Sequence, residues 1–308
     1  MKTKNLREYG VYITLAILVV FFSVMSSTFL TAGNMLNLLR QISINGLIAV
    51  GMTLVITTGG IDLSTGAILG LSGMLTAIMI TNGIPPFLAI LICLLIGAVL
   101  GLINGFLIAK YKLQAFIVTL ASMTVFRGFT YVISKGRPVS NVSSDSIFSF
   151  LGKGFILGIP VPVIILVIVL SIFCFIMSKT VFGRNIYATG GNEKASILSG
   201  INTDKIKLQV YMISGVLSAL AGLILISRLN SAQPTLGDGY ELDAIAAVVI
   251  GGTSLLGGKG KMTGTIIGIL ILGVISNGLN IVGVSSFYQE IIKGLIILVA
   301  VLLDRNDN

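Results

Sequence analysis

Among the charged residues that stand within or between the apolar runs of this sequence, two are candidates for chemistry. Asp62 follows the glycine pair Gly59-Gly60, and Arg127 has six apolar or small residues on either side. A carboxylate held away from water is costly and by default marks a substrate, ion or proton route. The competing reading of Asp62 is an interfacial cap for a helix starting near Ser64, since Asp and Ser favour that position. Arginine cannot shed its charge, so Arg127 has to pair, snorkel or face water. It is either a structural partner or a cavity lining. Neutral amides and hydroxyls recur in the same runs: Asn45, Thr53, Asn104, Thr119, Ser122, Thr124, Asn277 and Asn280. They suit a neutral, hydroxyl-rich substrate better than an ion, although such groups also hydrogen-bond helix to helix. The candidate translocation path is therefore Asn45, Asp62, Asn104, Arg127, Asn277 and Asn280.

Nothing in the sequence forms a catalytic set. There is no histidine, and the glycine pair in ATGGNEKAS is not followed by the lysine of a phosphate-binding loop. Cys93 and Cys174 lie in apolar runs and read as free, buried, small hydrophobes. Metal sites built on His or Cys are excluded, and no cofactor is expected on this chain. Asp238, Glu241 and Asp243 cluster, as an intramembrane enzyme acting on lipid-linked sugars would require. They are better read as an acid-rich helix start near the positive end of the dipole. Uphill transport through such a chain needs energy from a partner or an ion gradient.

The elements that position these residues follow from composition. Of 308 residues, 55% are hydrophobic and 10% charged, with a mean hydropathy of +1.04. A soluble domain carries about a quarter charged residues, so the fold class is an all-α polytopic membrane protein. Ten apolar segments are predicted: 10–29, 42–58, 66–80, 87–109, 115–133, 160–178, 207–228, 242–256, 263–282 and 287–303. Segments 66–80 and 242–256 are short for a span and read as tilted, broken or re-entrant, which leaves eight to ten complete crossings. The first segment follows MKTKNLREYG and is too long for a signal h-region, so it reads as a retained helix.

Net charge is +9, but the basic residues sit at the ends of apolar runs, which argues against nucleic acid as a partner. With the N-terminus inside, thirteen of the twenty basic residues fall in inside segments and five in outside ones. That asymmetry predicts both termini in the cytoplasm. The string GGxxLxxG occurs at Gly59–Gly66 and again at Gly251–Gly258, where helices are expected to end or break. It is either a trace of an internal repeat or a chance match in a chain with 37 glycines.

The longest polar interruption on the inside runs from Lys179 to Lys207. Helix-to-helix connections are usually a few residues long. Gly183–Asn192 reads as a turn-rich entry. Asn192 is positioned to cap a short helix through Glu193–Leu198, which Gly200 ends. Such a helix is either a knob for the groove of a soluble partner or an amphipathic connector resting on lipid.

The loop GRNIYATGGNEKASILSGINTDKIK resembles the coupling loop of permease subunits in the ribose-type sugar family of bacterial ABC importers. So do GGIDLSTG, the stretch Ser227–Pro234, GYELDAIAAVVIGGTSLLGGKG from Gly239, and NGLNIVGVSSFYQEIIKG near the end. The likeness covers nearly the whole chain. It implies a single permease domain over 1–308 with 179–207 as its coupling loop, in a type II-like ABC importer bundle. It further implies a homodimer in the lipid of the bacterial inner membrane, a cytoplasmic ABC ATPase with two nucleotide-binding modules, and an extracytoplasmic sugar-binding protein. ATP and Mg are used by the ATPase. The implied substrate is a monosaccharide, ribose first, with xylose, galactose, arabinose or autoinducer-2 as alternatives. A gradient-driven transporter is the rival, and it typically has a buried titratable relay for which only Asp62 and Arg127 qualify. The docking set implied is Arg184, Asn192, Glu193, Ala195 and Gly200. Ala195, Ser196 and Gly200 keep the spacing of the family's EAAxxxG signature, but Lys194 stands where its glutamate belongs and Glu193 one step earlier.

Overall fold

The computed structural model describes residues 2–142 and 146–305. The chain runs through α1 (Lys2–Met25), α2 (Ala32–Thr57), α3 (Thr65–Thr81), α4 (Pro86–Lys110) and α5 (Ala115–Ser134). A cluster of short elements follows: β1 (Val139–Ser140), α6 (Ser146–Lys153), β2 (Phe155–Ile156) and β3 (Ile159–Pro160). Next come α7 (Val161–Lys179), α8 (Val181–Gly191), α9 (Glu193–Leu198) and α10 (Thr203–Leu229). The chain closes with β4 (Ser231–Ala232), α11 (Tyr240–Ile250), α12 (Met262–Ile281) and α13 (Ser286–Arg305). The strands form two small antiparallel pairs, β1 with β4 and β2 with β3.

Each of the ten predicted apolar segments is largely or wholly helical. Among the described residues, α2, α4, α5, α7, α10 and α12 are long and apolar enough to cross a membrane. Two shorter apolar helices, Gly10–Met25 and α3, stand beside them. Segment 242–256 breaks where the eleven-residue α11 ends at Ile250, because Gly252, Gly257 and Gly258 take positive φ angles and turn the chain. The prediction that both termini are cytoplasmic concerns Met1 and Asn308, which lie outside the described residues.

Two helices form the axis of the bundle. In their most apolar stretches 78% of the residues of α2 and of α10 are buried, against 22–28% for α4, α5 and α7. The outer helices thus turn apolar faces outward, as lipid contact requires. The most extensive seam joins α4 to α10. Gly97, Gly101 and Gly105 recur every four residues on α4, and a β-carbon at Gly101 would overlap the carbonyl oxygen of Tyr211. Lipid removes the hydrophobic drive between helices, so close backbone approach at small residues has to supply the association. A hydroxyl pair, Thr53 with Thr265 at 2.8 Å, ties α2 to α12 in the other half of the bundle.

The polar loop is more ordered than its sequence suggests. Gly183–Asn192, expected to be turn-rich, is almost entirely the helix α8. The Thr180 hydroxyl accepts from the Gly183 N–H at 3.2 Å to start it, and Ile186, fully buried, anchors it to the core. Asn192 caps α9 as the sequence predicts, accepting from the Ala195 N–H at 3.0 Å. Gly200 ends that helix at φ +81°. Asn202 caps α10 by accepting from the Lys205 N–H at 2.9 Å.

Candidate functional site

Asp62 is fully buried in the turn between α2 and α3. Its carboxylate accepts from the Ser64 N–H (3.0 Å), the Ser64 hydroxyl (2.6 Å) and the Ser214 hydroxyl of α10 (3.0 Å). Ser64 Oγ in turn accepts from Asn104 Nδ2 at 2.8 Å, and Asn104 Oδ1 accepts from the Ser122 hydroxyl at 2.6 Å. Every donor in this relay points toward the carboxylate. Such unidirectional bonds reinforce one another in a low dielectric. They hold α4, α5, α10 and the turn to a single point. Asp62 and Asn104, both candidate path residues, are thereby brought together in one network.

The other path candidates lie apart from it. Arg127 donates from Nη1 to the carbonyls of Leu236 (2.6 Å) and Pro234 (3.3 Å), and so fixes the loop that leads into α11. Asn45 reaches Asp243 at 3.5 Å, and Asp243 pairs with Lys293 at 2.9 Å, which joins α2, α11 and α13. Asn277 exchanges two 2.9 Å amide bonds with Asn34 of α2. Asn280, exposed at the end of α12, accepts from Gln289 at 2.8 Å. The partners Asn34, Ser214 and Lys293 were not singled out by sequence reasoning. The only signal for them is a hydroxyl, amide or amine in an apolar run, which does not name its partner.

At one end of the bundle the polar loop packs on the glycine turns. Gly190 lies so close to Thr57 that a β-carbon would overlap its carbonyl oxygen, and the Gly258 N–H donates to that same oxygen at 2.9 Å. The two GGxxLxxG elements therefore meet in space, against the end of α8. The Tyr187 hydroxyl adds a 2.8 Å bond to the Gly260 carbonyl. Burial, then the Cys174 thiol nearby, pushes the Tyr187 phenol above its ordinary range. It stays a neutral donor at physiological pH.

Of the implied docking set, Arg184, Asn192, Ala195 and Gly200 are exposed. Glu193 is turned inward: Lys207 holds it at 2.7 Å, Lys112 lies at 3.9 Å, and the Thr203 hydroxyl donates at 3.3 Å. Asp204 pairs with Lys112 from the other side. Beside the exposed Lys194, what α9 offers outward is apolar: Ala195, Ile197 (52% exposed) and Leu198 (90%). Sequence reasoning missed Ile197 and Leu198, although the Asn192 and Gly200 caps already limit that helix to two turns, too short to bury both sides. Between α8, α9 and the turn after α2 lies an open cavity of about 390 Å³, with Lys112, Lys207, Glu193, Thr189, Tyr211 and Gly60 on its wall.

A bundle of apolar helices stitched by internal polar bonds, with two short capped helices packed on one end, is a membrane-embedded protein. The chain belongs to the family described as branched-chain amino acid transport system / permease component, whose model matches residues 34–301. It is 57% identical over 300 residues to the ribose import permease protein RbsC of Bacillus subtilis, covering 97% of this chain and 93% of that one. It is 49% identical over 302 residues to RbsC of Escherichia coli K12, covering 97% and 94%. It is 45% identical over 300 residues to the D-allose transport system permease protein AlsC of E. coli K12, covering 97% and 91%. No solved structure was found to match. The chain is a multi-pass permease of the inner membrane and the non-catalytic subunit of an ABC importer, a system that also comprises an ATPase and a substrate-binding protein.

Proposed function

We propose that this chain is the membrane-spanning subunit of an ATP-driven importer for ribose. Two copies form the translocation path, with α1, α3, α11 and α13 completing about ten helices per copy and both termini in the cytoplasm. A separate ATPase with two nucleotide-binding modules consumes ATP and Mg. An extracytoplasmic protein delivers the sugar. Support for ribose comes from relatives of that name at 57%, 54% and 49% identity. The allose and arabinose permeases stand lower, at 45% and 41%.

The observation that carries the coupling role is α9: a six-residue helix, capped at both ends, that presents Leu198 and Ile197 to the outside. An apolar knob on rigid caps transmits force from a groove to the bundle. Here Gly190 and Tyr187 supply the rigid connection. In the proposed cycle, ATP binding closes the ATPase, the knob moves with its groove, and the path opens to the other side. Leu198→Asp should place a charge in that groove and abolish co-purification of the ATPase, while the permease still elutes as a folded particle from size-exclusion chromatography. Unchanged co-purification would remove α9 from the docking surface. Ribose uptake in cells that retains full rate without any ATPase would overturn the importer reading as a whole.

A further inference from the structure

The chain between β4 and α11 is not helical, yet it reaches the middle of the bundle. Gly237 packs on the first turn of α3, so closely that a β-carbon would overlap the Gly66 carbonyl oxygen. Arg127, well inside α5, holds the Leu236 carbonyl. Asp243, in the first turn of α11, meets Asn45 near the midpoint of α2. From its far end α11 is only eleven residues long. That is about 16 Å, half of a hydrocarbon core of about 30 Å. Irregular backbone at such depth is tolerated only where protein covers it or where it lines a water-filled cavity. Pro234 and Gly237 are buried, whereas Gln233, Thr235 and Asp238 are exposed. Among the described residues no hydrogen bond or ion pair engages those three side chains. Capping does not account for Asp238 either, since α11 starts at Gly239 without a side-chain bond. Carboxylates at membrane depth face a bundle interior or a water-filled cavity. Asp238 is exposed, so it faces the cavity.

We propose that Gln233, Thr235 and Asp238 form a polar wall of the sugar path, with Asp238 contacting the sugar itself. A carboxylate accepts from two neighbouring sugar hydroxyls at once, while the Gln233 amide and Thr235 hydroxyl both donate and accept. A neutral polyol suits such a wall, and the unpaired negative charge disfavours an anionic sugar. Contacts from one exposed side exchange readily with water, as passage requires. Arg127 keeps this edge in place by donating to the Pro234 and Leu236 carbonyls from behind. The sugar contact rests on the importer reading proposed above, in which a second copy closes the path. That the wall faces water does not rest on it.

Two measurements test the proposal. In the first, the full chain in phosphatidylcholine nanodiscs, without ATPase and with Cys93→Ala and Cys174→Ala, carries a single new thiol. A membrane-impermeant cationic methanethiosulfonate should label Asp238→Cys and Thr235→Cys about tenfold faster than Leu95→Cys, which lies on the outward apolar face of α4, because a thiol in lipid does not ionise. Labelling as slow as that of Leu95→Cys would overturn the water-facing wall, whatever drives transport. In the second, the permease is reconstituted in proteoliposomes with its ATPase and binding protein, and D-ribose uptake is followed. Asp238→Ala should lower uptake about tenfold, the loss of one charge-assisted hydrogen bond. Hydrolysis stimulated by loaded binding protein and the melting temperature should both be kept. Asp238→Asn, which retains one acceptor oxygen, should fall between. Unchanged uptake in Asp238→Ala would overturn the sugar contact. So would lost uptake with a lowered melting temperature, which marks a structural side chain. A native complex that takes up no ribose would overturn the importer reading and the sugar contact with it, while the thiol labelling would still decide whether the wall faces water.

Discussion

Replacing Asp62 separates two roles that a buried carboxylate can play, a group on the substrate path or a joint between helices. The carboxylate accepts three hydrogen bonds, at 2.6, 3.0 and 3.0 Å, and among the described residues no cation pairs with it. Asp62→Ala removes both acceptor oxygens, and all three bonds with them, and leaves the Ser64 N–H and Ser214 hydroxyl stranded where water does not reach. At about 1–3 kcal/mol per stranded donor, plus the loosened Asn104 and Ser122 bonds, the loss is about 3–5 kcal/mol. Asp62→Asn keeps one acceptor for Ser64 and turns its amide toward Ser214, so it should cost only about 1–2 kcal/mol. In detergent, thermal melting followed by size-exclusion chromatography should show Asp62→Ala lower by on the order of 10 °C and Asp62→Asn by a few degrees. Ser214→Ala should show about a third of the Asp62→Ala effect and be non-additive with it, because the two share one bond. An Asp62→Ala protein melting with the native chain would refute the joint. So would an Asp62→Asn protein that melts normally and transports nothing, which would return Asp62 to the path.

Three other perturbations address the remaining contacts. Gly101→Ala should force α4 from α10 at Tyr211 and cost about 1–3 kcal/mol as overpacking, whereas Gly128→Ala, in open space on α5, should not; equal melting temperatures would deny the seam its role. Arg127→Met should free the 234–236 carbonyls and speed hydrogen exchange in residues 233–239 at least tenfold, with the rest of the bundle unchanged; unchanged protection would show that the loop holds itself. Tyr187→Phe should cost about 1 kcal/mol through its lost bond to Gly260. A raised folded-state phenol contributes fully below the unfolded value near 10 and is lost only as pH climbs through the higher folded one. The difference between the native chain and the Tyr187→Phe variant should therefore be flat from about pH 6 to 9 in melting curves. A decline inside that window would mean the phenol is not shielded.

Helix positions, the membrane class and the short helix at Glu193–Leu198 are legible in the sequence, because each rests on local rules. Apolar run length marks a helix, and Asn192 and Gly200 reach backbone groups within a few residues of themselves. The same locality explains what was not legible. Asp62 meets Ser214 across 152 residues and Asn34 meets Asn277 across 243, and no spacing rule links such pairs. A buried polar residue says that it needs a partner, not which one. For the same reason the six path candidates read alike in sequence, while the structure gathers two of them into one network and scatters four among separate joints.

The sequence by itself determined that this protein is a helical membrane bundle with a capped polar loop, since solvent preference and capping act residue by residue. Only the tertiary structure decided that α8 is a helix, that Glu193 faces Lys207 rather than outward, and that Leu198 is what α9 presents. It alone brought two glycine turns and the glycine-tipped end of α8, from distant parts of the chain, to one end. Close backbone approach depends on what lies opposite each glycine, and the glycine itself carries no record of that.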